Sequence, residues 1–450
     1  MKSKSYDLTQ GNITAQLVNF ALPLLIGALI QQLYSTVDMM FVGRVLGTTS
    51  AAAVGSSSMI VNCIVGFFTG LSVGVGVVVG KTLGSGDHDK LRRIIHCAAA
   101  LTLLMGVFFT AAGLLLAPAI LGWMDVPADI LPEAVRYIRI YLCSILSIVS
   151  YNIGTGILKA LGNSKSPTLY QLLGGIANVA GNYVFICLFR WGVVGAALTT
   201  LLSQTLAACL TLRHLFHLPE DYRLHVRQIR LEGKLCGEIL SVGIPSAVQA
   251  VVISFSNVIV QTNINRLDVT SIAAFTAYYK VENIVYYPIM AVGQACSAFV
   301  SQNVGANQIQ RARTGTRTAI LLGVGVTIVT SCLVVFGGNV AFSLFSKDPA
   351  VIAVGTRIGR VAYSFYFLYV FLEVFAAAVR GAGKAMRTMI ISLVNMCVIR
   401  IAVLELMMHL FHDAASIAAV YPITWAATAA CMFVCYLVTY RKMSSEALAA

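Results

Sequence analysis

Long apolar segments separated by short polar connections occupy almost the whole chain. A helix that crosses a bilayer needs about 20 apolar residues, and about twelve segments reach that length. Their approximate limits are 14–42, 51–80, 94–121, 133–160, 167–189, 193–216, 236–264, 271–302, 314–345, 351–379, 387–410 and 415–440. The pattern predicts an all-α integral membrane protein with about twelve transmembrane helices.

The composition agrees with this pattern. Of 450 residues, 58% are hydrophobic and only 11% are charged, whereas a soluble protein carries about 25% charge. The first residues lack the short apolar core and the cleavage site of a secretory signal, so we expect the first apolar helix to be retained. The eleven cysteines are scattered without metal-ligand spacing, and we interpret them as small core residues.

The basic residues alternate between connections. One set of connections carries 21 of the lysines and arginines, and the alternate set carries four. By the positive-inside rule, this asymmetry predicts that both termini face the cytoplasm of a multi-pass bacterial inner-membrane protein. The net charge of +13 is then a consequence of topology. We therefore expect the lipid bilayer as the partner, and no nucleic acid.

The sequence repeats itself. Segments that follow Pro23 and Pro245 resemble each other at an offset of 222 residues. Two later pairs match at an offset of 221: "GKTLGSGDHDKLRR" with "SQNVGANQIQRART", and "KALGNSK" with "RGAGKAM". We predict an N-terminal six-helix lobe at 1–217, a cytoplasmic linker at 218–233 and a C-terminal six-helix lobe at 234–450. Because each half has an even number of spans, a pseudo-twofold axis along the membrane normal should relate the two bundles.

Short motifs along the chain point to a family. They are "VDMMFVG.VLG" in span one, "ALGNSKSPTLY", "GVVGAALTT", "GIPSAVQ", "SQNVGA" and "RGAGKAM". Together with the twelve spans and the repeat, they make the chain resemble the multidrug and toxic compound extrusion (MATE) transporters over nearly its whole length. The resemblance implies efflux of cationic or amphiphilic small molecules by antiport with Na⁺ or H⁺, through alternating access of two lobes. It implies a secondary transporter and no enzyme, without a cofactor beyond the coupling ion; we expect a monomer.

Asp38 is an acidic residue within the first apolar segment. Gln31, Tyr34, Ser35 and Asp38 recur at helical spacing, so one face of span one is polar. A carboxylate at membrane depth is costly unless it faces a cavity or a partner, which makes it a candidate functional group. It could bind a proton, Na⁺ or an organic cation. The alternative is a structural hydrogen bond to a neighbouring helix.

Neutral oxygens on spans four to six could complete a cation site around Asp38. The predicted coupling residues are Asp38, Asn152, Asn178, Asn182 and Thr200, with Asp38 and Asn178 as Na⁺ ligands. Interhelical hydrogen bonding is the alternative for each neutral side chain. Some relatives carry a second acid where Asn182 falls, so the asparagine argues against a proton site shared by two acids.

The substrate cavity is predicted from polar and aromatic side chains of both halves: Gln31, Tyr34, Ser35, Tyr151, Gln204, Gln249, Asn257, Tyr369, Glu373 and Glu282. The C-terminal half also carries Lys280, Arg400 and Glu405 within spans. Opposite signs on neighbouring spans favour ion pairs, and the alternative is a second coupling site at Glu373 and Glu282. The repeat pairs Asp38 with Val260, so the two lobes are not electrostatically equivalent and we favour the first.

Two other functions are considered. A lipid-linked oligosaccharide flippase of a related fold is the main alternative, although such a protein would need a cationic cavity. A membrane-embedded enzyme is disfavoured, because the sequence has no DDxxD, HExxH, GxSxG or Walker A motif.

Overall fold

The computed structural model describes residues 7–124, 126–127, 129–411 and 413–449, and within these ranges the regular structure is helical, without a β-strand. The N-terminal half contains α1 (Ile13–Phe41), α2 (Thr48–Gly84), α3 (His88–Trp123), α4 (Leu131–Cys143), α5 (Ile145–Ala160), α6 (Lys165–Asn182) and α7 (Gly192–Phe216). The C-terminal half contains α8 (Gly233–Ile264), α9 (Val269–Gly305), α10 (Ile309–Phe336), α11 (Gly338–Ser343), α12 (Pro349–Tyr363), α13 (Phe367–Gly381), α14 (Ala385–Leu393), α15 (Arg400–Leu410) and α16 (Ala414–Ala449).

Ten helical segments of the described chain are long and apolar enough to cross a membrane, and the count rises to 12 when two bent pairs are each taken as one span. The bent pairs are α4 with α5, at 43°, and α12 with α13, at 49°. The predicted spans at 133–160 and 351–379 each correspond to one of these bent pairs, and the bend itself was not predicted. The predicted ninth span is also too long, because α10 ends at Phe336 and the short α11 follows it.

The internal repeat is present in the helix limits. Helices α2 and α9 each have 37 residues, and their first residues, Thr48 and Val269, are 221 positions apart. The two matched glycines Gly162 and Gly383 have φ angles of 84° and 82°. Both follow a helix end, where a left-handed residue allows the chain to leave the helix. The sequence match therefore reflects a repeated local structure.

The structure contains two compact units. Among the described residues, one unit comprises 26–247, and the other comprises 7–25 and 248–449. Helices α1 and α8 each change unit within their length, after Leu25 and after Ala247. Each change lies two residues beyond an internal proline, Pro23 or Pro245. The lobe limits predicted from the sequence stay a prediction.

Small residues allow close helix packing inside the N-terminal unit. A Cβ atom placed on Gly156 of α5 would lie 2.6 Å from the backbone oxygen of Ser72 on α2. The Ser72 hydroxyl donates a 2.7 Å hydrogen bond to the Asn152 carbonyl of α5. Small residues at helix contacts are the usual means of close packing in membranes. This packing fixes α5 beside α2, next to the helices that carry the candidate site.

Candidate ion-coupling site

The carboxylate of Asp38 lies beside the amide of Asn182. The Asn182 Nδ2 atom donates a 2.7 Å hydrogen bond to Asp38 Oδ1, joining α1 to the end of α6. Asn182 is fully buried, and Asp38 is half-buried. One turn earlier on α6, Asn178 accepts a longer bond of 3.3 Å from the same Asn182 nitrogen. Three of the predicted coupling residues therefore form one cluster.

Both helices of this cluster change geometry next to it. The π-helical turn Val42–Leu46 begins four residues after Asp38. A second π-helical turn, Tyr183–Leu188, begins directly after Asn182. Single π turns are rare and occur frequently at functional sites. Our sequence analysis predicted neither turn, because no residue pattern distinguishes a single π turn from the end of an α-helix.

Three tyrosines lie near Asp38. The Tyr34 ring packs on Gly175 of α6, where an added Cβ would lie 2.9 Å from Tyr34 Cδ1. Tyr137 and Tyr141 of α4 lie within electrostatic range of Asp38, and their ring centroids are 6.2 Å apart. Our sequence analysis missed Tyr137 and Tyr141. Their spacing of four residues on one helix was the available signal.

The cluster contains an acceptor that no neighbour satisfies. The Asn182 Oδ1 atom is buried and receives no hydrogen bond from any described residue. A buried polar atom without a partner is costly. A cation beside this oxygen would remove that cost, and the Asp38 carboxylate would balance its charge. One carboxylate and two amide carbonyls are oxygen donors of the kind that hard cations prefer.

The other two predicted coupling residues form hydrogen bonds outside this cluster. Asn152 accepts a 3.2 Å hydrogen bond from Thr69 and donates a 2.8 Å bond to the Ile148 carbonyl. The Thr200 hydroxyl donates to the Ala196 carbonyl of its own helix at 3.2 Å. Thr69 was not singled out from the sequence. The roles of Asn152 and Thr200 in coupling stay predictions.

The predicted cavity residues of the N-terminal half differ in their surroundings. Gln31 is exposed and accepts a 2.6 Å hydrogen bond from Gln171 of α6. Ser35 is also exposed, and Gln204 is half-buried. Tyr151 donates a 3.2 Å hydrogen bond to the Pro167 carbonyl. Gln31, Tyr34 and Ser35 share the α1 face that carries Asp38, so they could contact a substrate there.

In the C-terminal half, Glu282 lies in a cluster of aromatic side chains. It accepts hydrogen bonds from Tyr366 at 2.9 Å and from Tyr278 at 3.5 Å. Tyr369 extends the cluster, with its ring centroid 5.6 Å from that of Trp425. Tyrosine hydroxyls thus satisfy the carboxylate. Within the described residues, Glu282 forms no ion pair with a lysine or an arginine.

The remaining predicted cavity residues of this half form hydrogen bonds with other side chains of the protein. Glu373 accepts a 2.8 Å hydrogen bond from Arg380 of the same helix. Gln249 donates to the Ser392 hydroxyl at 2.9 Å, and Asn257 accepts from Arg400 at 3.3 Å.

We expected ion pairs between neighbouring spans, and for Glu373 this expectation is wrong because its partner lies seven residues along α13. Lys280 and Glu405 are both exposed.

Comparison with known proteins decides the family. The sequence profile of the MatE family matches residues 23–184 and 245–404, which together make up most of the chain. The chain belongs to the MatE family. The two matched segments are the two halves of the internal repeat, and each begins at one of the equivalent prolines. This MatE protein is a membrane transporter and not an enzyme, as the sequence predicted.

Relatives and solved structures extend this result. The MatE protein is 28% identical to the probable multidrug resistance protein YpnP of Bacillus subtilis, over 88% of this chain and 89% of that protein. It is 24% identical to a FAD transporter of Shewanella oneidensis, over 86% of each chain. A crystal structure of a MATE protein in complex with MaL6 matches with a TM-score of 0.93 at 21% identity, over 99% of this chain and all of that one. The predicted all-α, two-lobe fold with twelve spans is confirmed.

Proposed function

We propose that this MatE protein is a secondary multidrug exporter of the bacterial inner membrane, which removes cationic or amphiphilic compounds by antiport with Na⁺ or H⁺. The observation that carries the proposal is the cluster of Asp38, Asn182 and Asn178, with the buried Asn182 oxygen that lacks a donor. The names of relatives such as YpnP support the drug-export part of the proposal.

The donor set is suited to exchange between two kinds of cation. Asp38 is half-buried, and it lies on the α1 face that also presents the exposed Gln31 and Ser35. A cationic group entering along this face would meet a carboxylate that Asn182 holds in place. An inorganic ion would compete for the same oxygens. Because both ligands need the same negative charge, binding of one weakens binding of the other, which is the coupling that an antiporter requires.

The two halves then expose the binding site to one side of the membrane at a time. Asp38 without its ion binds the organic cation from the inner side, the halves rearrange, and Na⁺ or H⁺ replaces the organic cation at the outer side. A ligand shifts the balance between two states only by its different affinity for them. The gradient of the ion provides the driving force, and access from one side at a time couples this gradient to export. Both termini lie in the cytoplasm in this proposal, and the protein acts as a monomer.

Transport in proteoliposomes tests the proposal. The full chain is reconstituted, and Na⁺ and pH gradients are imposed separately while uptake of a fluorescent organic cation is measured. We expect one gradient to drive uptake and the Asp38→Asn variant to abolish it. The Glu446→Gln variant is the matched control, because it removes one exposed carboxylate near the C-terminus. One relative is named a FAD transporter, so uptake of a flavin dinucleotide is measured in a parallel experiment.

Three results would overturn the proposal. The first is unchanged ion-driven uptake by a folded Asp38→Asn protein. The second is uptake that neither gradient drives. The third is efficient uptake of the flavin without uptake of any cation. Translocation of a lipid-linked sugar without cation transport would instead favour the flippase.

A further inference from the structure

An apolar cavity of about 160 Å³ lies inside the N-terminal unit, away from the Asp38 cluster. Three helices and the connection between α7 and α8 line it, and it is partly open to the outside. Its lining includes Ala99 and Leu103 of α3, Ile153 of α5, Leu212 of α7, and Leu224 and Ile229 of the connection. On α3 the lining extends from Ile95 to Leu103, which is about 12 Å along the helix axis. The cavity is therefore elongated along the direction of the spans.

The two hydroxyl groups that line the cavity already have hydrogen-bond acceptors, so they do not require a polar ligand. Thr102 donates to the Ala98 carbonyl at 2.8 Å, and Ser150 donates to the Leu146 carbonyl at 2.7 Å. Both bonds lie within the residues' own helices. Apolar cavities of about 150 Å³ stay dry and take up apolar guests. This cavity therefore suits a hydrocarbon chain better than water or a polar substrate.

Basic side chains lie at the end of the cavity that the connection covers. Arg92 precedes Ile95 by three residues, which places it on the cavity face of α3 one turn nearer the helix start. Gln228 of the connection accepts a 2.9 Å hydrogen bond from Arg92 Nε. Arg227 is adjacent and exposed, and its side chain has no ion-pair or hydrogen-bond partner among the described residues.

The neighbouring carboxylate, that of Glu232, pairs with two other arginines. Glu232 forms ion pairs with Arg93 and with Arg230. The hydrogen bond from Arg93 holds the pKa of the Glu232 carboxyl below its usual range, so Glu232 is charged at neutral pH and offsets the charges of these two. Arg227 is unpaired among the described residues, and Arg92, whose Nε atom donates to Gln228, keeps its two terminal nitrogens available to an external anion.

The connection also carries apolar side chains that face outward. Val226 is 68% exposed and Leu231 is 52% exposed, and Arg227 and Arg230 lie between them in the sequence. A basic segment with exposed apolar residues is typical of contact with an anionic membrane surface. The cavity matches the acyl chain of an anionic phospholipid, and Arg92, Arg227 and this basic segment match its headgroup.

We propose that the N-terminal unit holds one anionic phospholipid, with an acyl chain in the cavity between α3, α5 and α7 and its phosphate on Arg92 and Arg227. The site is separate from the Asp38 cluster and does not depend on the transport function. The lipid stabilises the connection between α7 and α8 on α3. Charge complementarity selects the anionic headgroup, and the cavity selects a lipid over a free phosphate ion.

Native mass spectrometry of the full chain in detergent tests the proposal. Phosphatidylglycerol and phosphatidylcholine with identical acyl chains are titrated in parallel, with inorganic phosphate and a free fatty acid as further arms. We expect phosphatidylglycerol to bind about tenfold more tightly than phosphatidylcholine, because each arginine near the surface favours an anionic lipid. Inorganic phosphate should not compete. Equal binding of the two phospholipids, or tighter binding of the fatty acid, would overturn the proposal.

Two variants locate the lipid. The double variant Arg92→Gln/Arg227→Gln should bring the ratio of phosphatidylglycerol to phosphatidylcholine affinity close to one. Its control is Arg136→Gln/Arg139→Gln, which changes two exposed arginines of α4 and should leave that ratio unchanged. Ala99→Phe should weaken both phospholipids by filling the cavity, and Ala111→Phe at an exposed position of α3 is its control. A preference that survives the first double substitution would refute the headgroup assignment.

If the variants do not fold, the lipid can still be located in the unmodified protein. A phosphatidylglycerol with a photoreactive acyl chain is crosslinked, and the adducts are mapped. We expect adducts on α3 between Ile95 and Leu103 or on the connection at 224–229. Adducts confined to other helices would show that the cavity is not the site.

Discussion

Arg380 donates a 2.8 Å hydrogen bond to Glu373, and the two residues lie on the same helix, α13, seven positions apart. Their side chains are only 13% and 9% exposed. Gly293 of α9 makes room for the carboxylate, because a Cβ atom there would lie 2.8 Å from Glu373 Oε1. The pair therefore neutralises two charges inside the C-terminal unit and needs no partner from another span.

Breaking this pair should destabilise the protein. Removing one partner leaves a buried charge without compensation, which typically costs about 3–5 kcal/mol. We expect Glu373→Gln and Arg380→Gln each to lower the melting temperature in detergent. The double variant should lose less than the sum of the two, because it leaves no unpaired charge. The measurement is thermal unfolding of purified protein, with ion-driven transport recorded in parallel.

The same experiment tests whether Glu373 couples transport. A Glu373→Gln protein with unchanged thermal stability and no ion-driven uptake would place a coupling site in the C-terminal half. The Glu282→Gln variant is a useful comparison, because tyrosine hydroxyls and not an arginine bind its carboxylate. We expect a smaller loss of stability there, since no cation is left unpaired.

Replacing Asn182 by Asp should change the ion that the site prefers. The Asn182 amide nitrogen lies 2.7 Å from Asp38 Oδ1, so the substitution would place two carboxylates side by side. Two carboxylates at that distance cannot both be ionised without a large cost, and one of them holds a proton. We expect transport by Asn182→Asp to depend more steeply on pH and less on Na⁺ than transport by the unmodified protein.

Asn163→Asp is the matched control for this change. It also converts an amide into a carboxylate, but Asn163 lies in the connection before α6 and contacts Ser166. An equal shift of the pH profile in both variants would indicate a general effect of added charge and not a shared proton at Asp38.

A methyl group at Gly156 should separate two helices of the N-terminal unit. The added Cβ would lie 2.6 Å from the Ser72 backbone oxygen, and backbone atoms cannot move away without shifting α2. Overpacking of this kind typically costs about 1–3 kcal/mol. We expect Gly156→Ala to lower the melting temperature measured by dye binding in detergent.

Gly66→Ala in α2 is the control, because nothing lies within 4 Å of its added Cβ. Alanine is a better helix former than glycine, so this variant should be neutral or slightly stabilising. A Gly156→Ala protein as stable as Gly66→Ala would mean that α2 and α5 do not pack as closely as the structure indicates.

The sequence predicted the helices well because one physical signal dominates them. Long apolar segments identify membrane spans, and the likeness to a solved structure confirms the predicted fold. The breaks after Cys143 and after Tyr363 escaped prediction, because neither contains a proline or a glycine that would interrupt the apolar pattern. The repeat offers a partial signal, since an offset of 221 places Ser144 on Phe365 and aligns the two breaks.

The candidate site was predictable in part. Asp38 stands out from its apolar surroundings, and Asn178 and Asn182 share one helix face, so their contact follows from simple spacing. The contact of Asn152 with Thr69 depends on how α2 packs against α5, which local spacing does not encode. The partner of Glu373 was missed for a different reason. We assigned Arg380 to a loop, whereas α13 continues to Gly381.

Alternating access predicts that the outer ends of α1 and α8 are reached from outside only in one state. Single cysteines at Ser35 and Gln261 are introduced into a protein without its eleven native cysteines. Ser35 is exposed, whereas Gln261 is half-buried and donates a 2.8 Å hydrogen bond to Asn265. We expect a membrane-impermeant thiol reagent added outside to label both positions at rates that saturating drug or coupling ion changes, because a ligand favours one state over the other.

Two further cysteines calibrate these rates. Lys347→Cys lies in a connection on the predicted outer side and is exposed, so it should react at the same rate with every ligand. Asp221→Cys, exposed in the connection between α7 and α8, should not react in intact cells if that connection is cytoplasmic. Reaction at Asp221→Cys would reverse the predicted orientation. Labelling of Ser35→Cys and Gln261→Cys that no ligand alters, in protein shown to transport, would instead favour a fixed pore, because a pore keeps its lining open to both sides whether or not it is occupied.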